Sequence, residues 1–171
     1  MMVLAMASEG ILASGGGDGA VRLWDVSQLS LSGLTPAPRV LQHPGQYTYI
    51  SALAALEGGY LATGFGNAVY LWDVGSASDQ PMAVLQGHTN EVLCLAALPR
   101  GLLASGGRDG AVRVWSVAAR TCVAAVQGHS DPIWELAALP DGRLASGSIE
   151  NPMGSNHRDT RALQVWEVHH L

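Results

Sequence analysis

Asp109, His88 and Ser105 are the residue types of an acid, a base and a nucleophile. Set in line, such residues carry out acyl transfer, with an exposed hydroxyl beside an oxyanion hole. In this chain the set does not stand alone. Ser14 with Asp18, Thr63 with His43 and Asn67, and Ser146 with His129 hold corresponding places, and each group runs to a tryptophan: Trp24, Trp72, Trp115 and Trp166. A triad is needed once, whereas a constellation that recurs with each repeat marks structure. Two other chemistries are weaker still. Residues 15–19 (GGGDG) have the glycines of a phosphate cradle, but no Lys-Ser/Thr follows and the segment joins two strands. His157, His169 and His170 could ligate a metal, yet they meet no ligand spacing and have no companion cysteine. The sequence therefore predicts no catalytic residue, no metal and no cofactor.

The recurrence is a repeat of the whole chain. Residues 92–117 shifted by 91 positions fall on residues 1–26 without a gap, and 15 of 26 positions are identical. The same phrase returns at 50–74 and at 133–168, so four copies fill 171 residues, approximately at 1–26, 39–74, 82–117 and 122–168. Within the clearest copy the pattern breaks into short strands: Val92–Leu98, apolar enough for burial on both sides, then Leu102–Ser105, then Ala111–Val117. Residues 107–110 (GRDG) form the tight turn between the last two, because Asp-Gly accepts the positive φ that such turns need. Met82–Gln86 supplies a fourth strand. Four short antiparallel strands recur every 43–51 residues from Trp24 to Trp72, Trp115 and Trp166.

Composition agrees with an all-β chain rich in turns: 48% of residues are hydrophobic, 13% charged, and 21 are glycine. The net charge is −5 and all nine basic residues are arginine, which argues against duplex nucleic acid or an anionic membrane as the main ligand. Cys94 and Cys122 lie in apolar runs without a CxxC, as in the reduced thiols of an intracellular protein, cytoplasmic or nuclear. The first residues lack a basic segment and overlay an internal repeat, so no signal peptide is expected. No run approaches the ~18 apolar residues of a membrane span, so no membrane insertion is expected.

GGGDGAVRLWDV at 15–26 and GHTNEVLCLAALPRGLLASGGRDGAVRVWSV at 87–117 resemble the WD-repeat β-propeller family. The resemblance covers nearly the whole chain. It implies an all-β propeller segment of about four blades, an incomplete ring beside the roughly seven blades usual in the family. It also implies a tetrad in each blade, in which a turn Asp bonds the His of Gly-His, the His bonds a Ser or Thr, and that hydroxyl meets the Trp indole. In the third copy these are Asp109, His88, Ser105 and Trp115; in the second, Asn67, His43, Thr63 and Trp72. The first copy offers Asp18, Ser14 and Trp24 without a His. The fourth offers His129, Ser146 and Trp166, with Glu150 or Asp159 as the acid. Further departures are the missing Gly before His43 and after Asn67, the extra ENPMGSNHRDTR in the fourth copy, and the lack of an outer strand after Val168. The outer strand of the first blade is expected at Arg39–Gln42. The Phe-Arg-Arg-Gly motif of phosphoinositide-binding propellers and the Trp-Asp-x-Arg motif of cullin-linked ones are both absent.

Family partners commonly dock on the face where the loops between blades emerge. By position that face carries Tyr49, Glu91, Leu93 and Arg108, and then Asp131 and Trp134, with His157 and Arg158 from the insertion. Trp134 replaces Leu93 at the entry to an inner strand, and it either anchors a partner or fills the end of the blade. The function implied is a non-catalytic scaffold or adaptor that binds other proteins or peptides. The alternatives are the substrate-recognition part of a ubiquitin-ligase complex and a propeller-based hydrolase. Four blades leave two readings open: a piece of a larger propeller, which is preferred, or closure by self-association into a homodimer of eight.

Overall fold

The computed structural model describes residues 2–27, 37–44, 49–148 and 163–168. They form four antiparallel sheets in chain order. The first holds β1 (Val3–Ser8), β2 (Ile11–Gly15), β3 (Ala20–Asp25) and β4 (Arg39–Gln42). The second holds β5 (Ala52–Leu56), β6 (Tyr60–Phe65), β7 (Ala68–Asp73) and β8 (Ala83–Gln86). In the third are β9 (Val92–Leu98), β10 (Leu102–Gly107), β11 (Ala111–Ser116) and β12 (Thr121–Gln127). The fourth has β13 (Ile133–Ala138), β14 (Leu144–Ser148) and β15 (Leu163–Trp166). Each sheet is a meander whose neighbours in sequence are neighbours in space.

Local chemistry sets these elements. Gly107 accepts the Gly110 N–H at 3.2 Å, and Gly16 accepts the Gly19 N–H at 3.3 Å, closing the β10–β11 and β2–β3 turns. Gly110 and Gly19 stand at φ of 72° and 71°, where a Cβ would be strained. Along β11, Val112 and Val114 point to one neighbouring sheet while Arg113 and Trp115 point to the other. The expectation that β9 is buried on both sides needs correction. Val92, Cys94, Ala96 and Leu98 are buried, but Leu93 and Leu95 are half-buried and Ala97 is exposed. The face that reaches the second sheet is only partly covered there.

The sheets stack through their inner strands: β1 on β5, β5 on β9, and β9 on β13. Each junction has its own apolar core. Leu23, Leu41, Ile50, Leu61 and Trp72 fill the first; Leu71, Leu85, Val92, Leu103 and Trp115 the second; Ala104, Val114, Ile133, Leu136 and Leu144 the third. The small residue after each Ser or Thr admits the next sheet. A Cβ on Gly15 would come within 2.7 Å of Ile50, and one on Gly106 within 2.7 Å of Ile133. Backbone bonds stitch the same joints, with Ile50 N–H donating to Gly16 O at 3.0 Å and Val92 N–H to Gly66 O at 2.8 Å.

Candidate functional site

The recurring Ser/Thr, His and Trp side chains meet inside the sheets. In the third sheet, Trp115 Nε1–H donates to Ser105 Oγ at 2.8 Å, and Ser105 lies 2.7 Å from His88 Nε2. His88 Nδ1 is 3.0 Å from both Asp109 oxygens. Burial lowers the His88 pKa and the Asp109 contact only partly opposes this, so the ring is neutral and its Nδ1–H donates to the carboxylate. Ser105 O–H then donates to Nε2. Burial tends to raise the Asp109 pKa, but the Thr89 N–H, His88 and the Ala111 N–H outweigh it and hold the carboxyl below its usual range. Gly87 precedes this His because a Cβ there would press on the Arg113 guanidinium at 3.1 Å and the Trp115 ring at 3.2 Å.

The second sheet departs from this pattern. His43 Nε2 is 2.6 Å from Thr63 Oγ1, and Trp72 Nε1–H donates to the same oxygen at 3.0 Å. Asn67, paired with His43 in the sequence reading, instead donates to the His88 carbonyl at 3.4 Å. His43 Nδ1–H donates to the Gly19 carbonyl at 3.2 Å. The reason is turn length. Without the Gly that follows Asp109 in the third sheet, Asn67 sits directly before β7, whereas Asp109 sits two residues before β11. His43 is enclosed by Phe65, Tyr70 and Trp72 at ring-centroid distances of 4.5, 4.9 and 4.8 Å, and burial pushes its pKa down to about 4.

The end sheets are partial. Trp24 donates to Ser14 at 2.8 Å, while Asp18 pairs with Arg22 at 2.5 Å. In the fourth sheet Ser146 is 2.8 Å from His129 Nε2 and accepts from Trp166 at 2.8 Å. Glu150 and Asp159 lie outside the described residues. Ser105, Thr63 and Ser146 are all 0% exposed, and each hydroxyl is shared between a His and an indole. In the third sheet, where Asp109 stands behind His88, this is the connectivity of a hydrolytic triad with its nucleophile sealed.

At the ends of the sheets where the inner strands begin, the surface residues form a second network. Glu91, just before β9, accepts from Tyr49 Oη at 2.6 Å and from Arg108 Nε at 2.9 Å. The Arg108 amide also donates to the Glu91 carbonyl at 2.7 Å, locking the β10–β11 turn against the start of β9. The Arg108 guanidinium carbon lies 5.9 Å from the centroid of the Trp134 ring. Tyr49, through its hydrogen bond, and Arg108 together hold the Glu91 carboxyl below its ordinary range against the opposing effect of burial, and the Tyr49 phenol is raised by the same bond to Glu91. Trp134 owes its orientation to a β-bulge: Ile133 pairs with Ser148 but Glu135 with Gly147, so Trp134 is the extra residue. Leu93 holds the equivalent bulge in β9, between partners of Gly107 and Gly106, and is half-buried. Asp131 lies apart from this network and accepts from Ser130 at 3.2 Å. His157 and Arg158 lie outside the described residues.

One arginine escaped the sequence reading. Arg39 of β4 donates to Asp79 at 2.9 Å, to the carbonyls of Val74 at 3.2 Å and Ser76 at 2.5 Å, and to the Ser78 carbonyl. It clamps the β7–β8 loop of the next sheet to the first. No motif marks a partner 35–40 residues away.

Meandering sheets of three or four strands stacked by their inner strands are the blades of a β-propeller. The chain belongs to the WD domain, G-beta repeat family, whose family model matches residues 4–25, 79–116 and 120–151. It is 31% identical over 110 residues to the Target of rapamycin complex subunit wat1 of Schizosaccharomyces pombe, covering 64% of this chain and 33% of that one. It is 30% identical over 111 residues to the Ubiquitin fusion degradation protein 3 homolog of Caenorhabditis elegans, covering 63% and 12%. Against the Anaphase-promoting complex subunit cdh1 of Dictyostelium discoideum it is 35% identical over 106 residues, covering 61% and 13%. The chain thus spans a third or less of these relatives. Its fold is similar to the computationally designed Ika8 protein, with a TM-score of 0.71 and 23% identity over 96% of this chain and 45% of that one.

Proposed function

We propose that the chain is a non-catalytic, intracellular scaffold that holds a protein or peptide on the rim formed by Tyr49, Glu91, Arg108 and Trp134. The observation that carries this reading is the bridge itself. Hydrogen bonds and a cation–π contact tie residues of three successive sheets into one surface. A surface fixed before binding loses less freedom on binding. Trp, Tyr and Arg are also the residues that most often anchor interfaces. The buried hydroxyls of Ser105, Thr63 and Ser146, each shared between a His and an indole, support a structural role for these residues. Two clefts, of about 360 and 270 Å³, lie at the other end of the sheets near Leu98, Leu102 and Pro140. At the rim there is space of only about 10 Å³ beside Tyr49 and Glu91, which suits a flat contact and not a small molecule.

The test is selection of peptides from a random library against the whole chain, followed by titration of the winners. Trp134→Ala and Arg108→Ala should each weaken binding by about tenfold or more, while Glu57→Ala at the opposite end leaves it unchanged. Winners that ignore both rim substitutions would overturn the assignment. A second reading, that the rim receives substrates for a ubiquitin ligase, draws on the names of two relatives, the Ubiquitin fusion degradation protein 3 homolog and the Anaphase-promoting complex subunit. Cross-linking from position 134 in cells separates the two, because this reading requires ligase subunits among the captured partners.

A further inference from the structure

Resting on the rim proposed above, we infer that its partner is basic: an extended protein segment that lays an arginine or lysine side chain against Trp134. The sorting of charge between the two ends of the sheets points to a cation, and the Trp134 ring gives it a seat.

In the stretch that forms the third and fourth sheets, the connections at the rim end are residues 87–91, 108–110 and 128–132. They carry three carboxylates, Glu91, Asp109 and Asp131, against one guanidinium, Arg108. The connections at the opposite end, 99–101, 117–120 and 139–143, reverse the balance, with Arg100, Arg120 and Arg143 against Asp141. The rim carboxylates also differ in what answers them. Arg108 neutralises Glu91 at 2.9 Å. Asp109 is kept ionised by the Thr89 and Ala111 N–H groups beside a neutral His88 ring, so its charge is held and not cancelled. Its side chain is 8% exposed, where salt screens it little. Asp131 accepts from Ser130, and no guanidinium pairs with it among the described residues. The rim end of these sheets therefore keeps a negative field that a cation from outside can meet.

Trp134 stands three residues after Asp131, turned outward by its bulge. Arg108 already lies over the ring at 5.9 Å, so this indole takes a guanidinium within the molecule itself. The ring is still 44% exposed, and Glu91 has answered the charge of Arg108, which leaves the open surface free for a second cation. The other classes of partner fit less well. An acidic segment would bring like charge against Asp109 and Asp131. A purely apolar one would cover those carboxylates without pairing them, which costs the interface their desolvation. The small space beside Tyr49 and Glu91 keeps the contact on the surface, so the segment lies across the rim with its cation on the ring.

The test uses three pools of fluorescent peptides, randomised except at a few positions fixed as arginine, glutamine or glutamate. Each pool is titrated against the whole chain by fluorescence anisotropy. The arginine pool should bind about tenfold tighter than the glutamine pool, with the glutamate pool weakest, and the preference should shrink to about twofold as salt rises from about 0.05 to about 0.5 M. Trp134→Ala should weaken the arginine pool about tenfold, and Trp134→Tyr, which keeps a ring face, much less. Asp131→Asn should weaken it about threefold. Glu57→Gln removes the same charge at the opposite end and should leave it unchanged. Equal binding of the pools, a glutamate pool that binds best, or no binding of the arginine pool at about millimolar peptide would each overturn the basic partner. Where Trp134→Ala still abolishes binding of whichever pool does bind, the rim stands and only its preference is refuted. Equal losses from Asp131→Asn and Glu57→Gln would reduce the preference to general attraction by an acidic chain and overturn it too. An arginine pool indifferent to Trp134→Ala would refute the rim itself.

Discussion

Trp115 is the side chain on which the third sheet turns, and replacing it separates its two contributions. Its ring is 1% exposed and packs with Leu71, Leu85, Val92 and Leu103, while its indole N–H donates to Ser105. Trp115→Ala empties that volume in the middle of an inter-sheet core, and substitutions of this kind cost about 3–5 kcal/mol. Trp115→Phe keeps most of the ring and removes only the donor. Ser105 retains His88 as its partner, so the loss there is nearer 1 kcal/mol. For a chain of this length each kcal/mol lowers the midpoint by roughly 2–4 °C, giving a fall of about 10 °C for the alanine variant and about 3 °C for phenylalanine. The assay is a thermal melt followed by circular dichroism, with all proteins at one concentration so that association does not enter the comparison. Trp134→Ala, which removes a ring 44% exposed at the rim, is the internal control and should move the midpoint little. An alanine variant at position 115 that melts within about 2 °C of the parent would refute the view that the buried indole organises the sheet.

Acid should destabilise the fold through His43. Its folded pKa of about 4 lies below the ordinary 6.5, so the folded state binds fewer protons and stability falls as the pH drops through that window. The loss totals about 3 kcal/mol between neutral pH and pH 4, and urea titrations of the parent and of His43→Gln should show it shrinking in the variant. Burial raises the Cys94 thiol to about 12, whereas Cys122 is exposed, so iodoacetamide at mild alkaline pH should add one group, at Cys122, and reach Cys94 only in denaturant.

The strands were legible because two local signals coincide in each copy, a Gly-containing turn and an alternation of faces. Arg39–Gln42 was found as an outer strand from its place in the repeat alone, and β4 has those bounds. The second copy shows how far alternation carries without the motif. The family model passes over residues 52–73, yet they form β5 to β7 of a full four-stranded sheet. What the sequence could not convey is aim. The shorter turn before β7 sends Asn67 to the His88 carbonyl, in the loop that follows β8 of its own sheet, and no residue type announces that. The rim shows the same limit. Tyr49 and Glu91 share a face by their position before inner strands, but the hydrogen bond between residues 42 apart depends on how the sheets stack. Similarly, a bulge and not an apolar pattern turns Trp134 outward.

The histidines carry one more consequence. His43 follows the last strand of the first sheet and serves the second; His88 follows the second and serves the third; His129 follows the third and serves the fourth. The unit of sequence and the unit of structure are thus out of phase by one strand. A cut between any two sheets would strip a buried hydroxyl of its ring, so each joint is interlocked and unfolding of one sheet is felt in the next. The offset also means that copying one stretch of gene, from outer strand to tryptophan, copies a joint together with the piece it joins. Such a chain can lengthen by tandem duplication without inventing a new way to connect its parts.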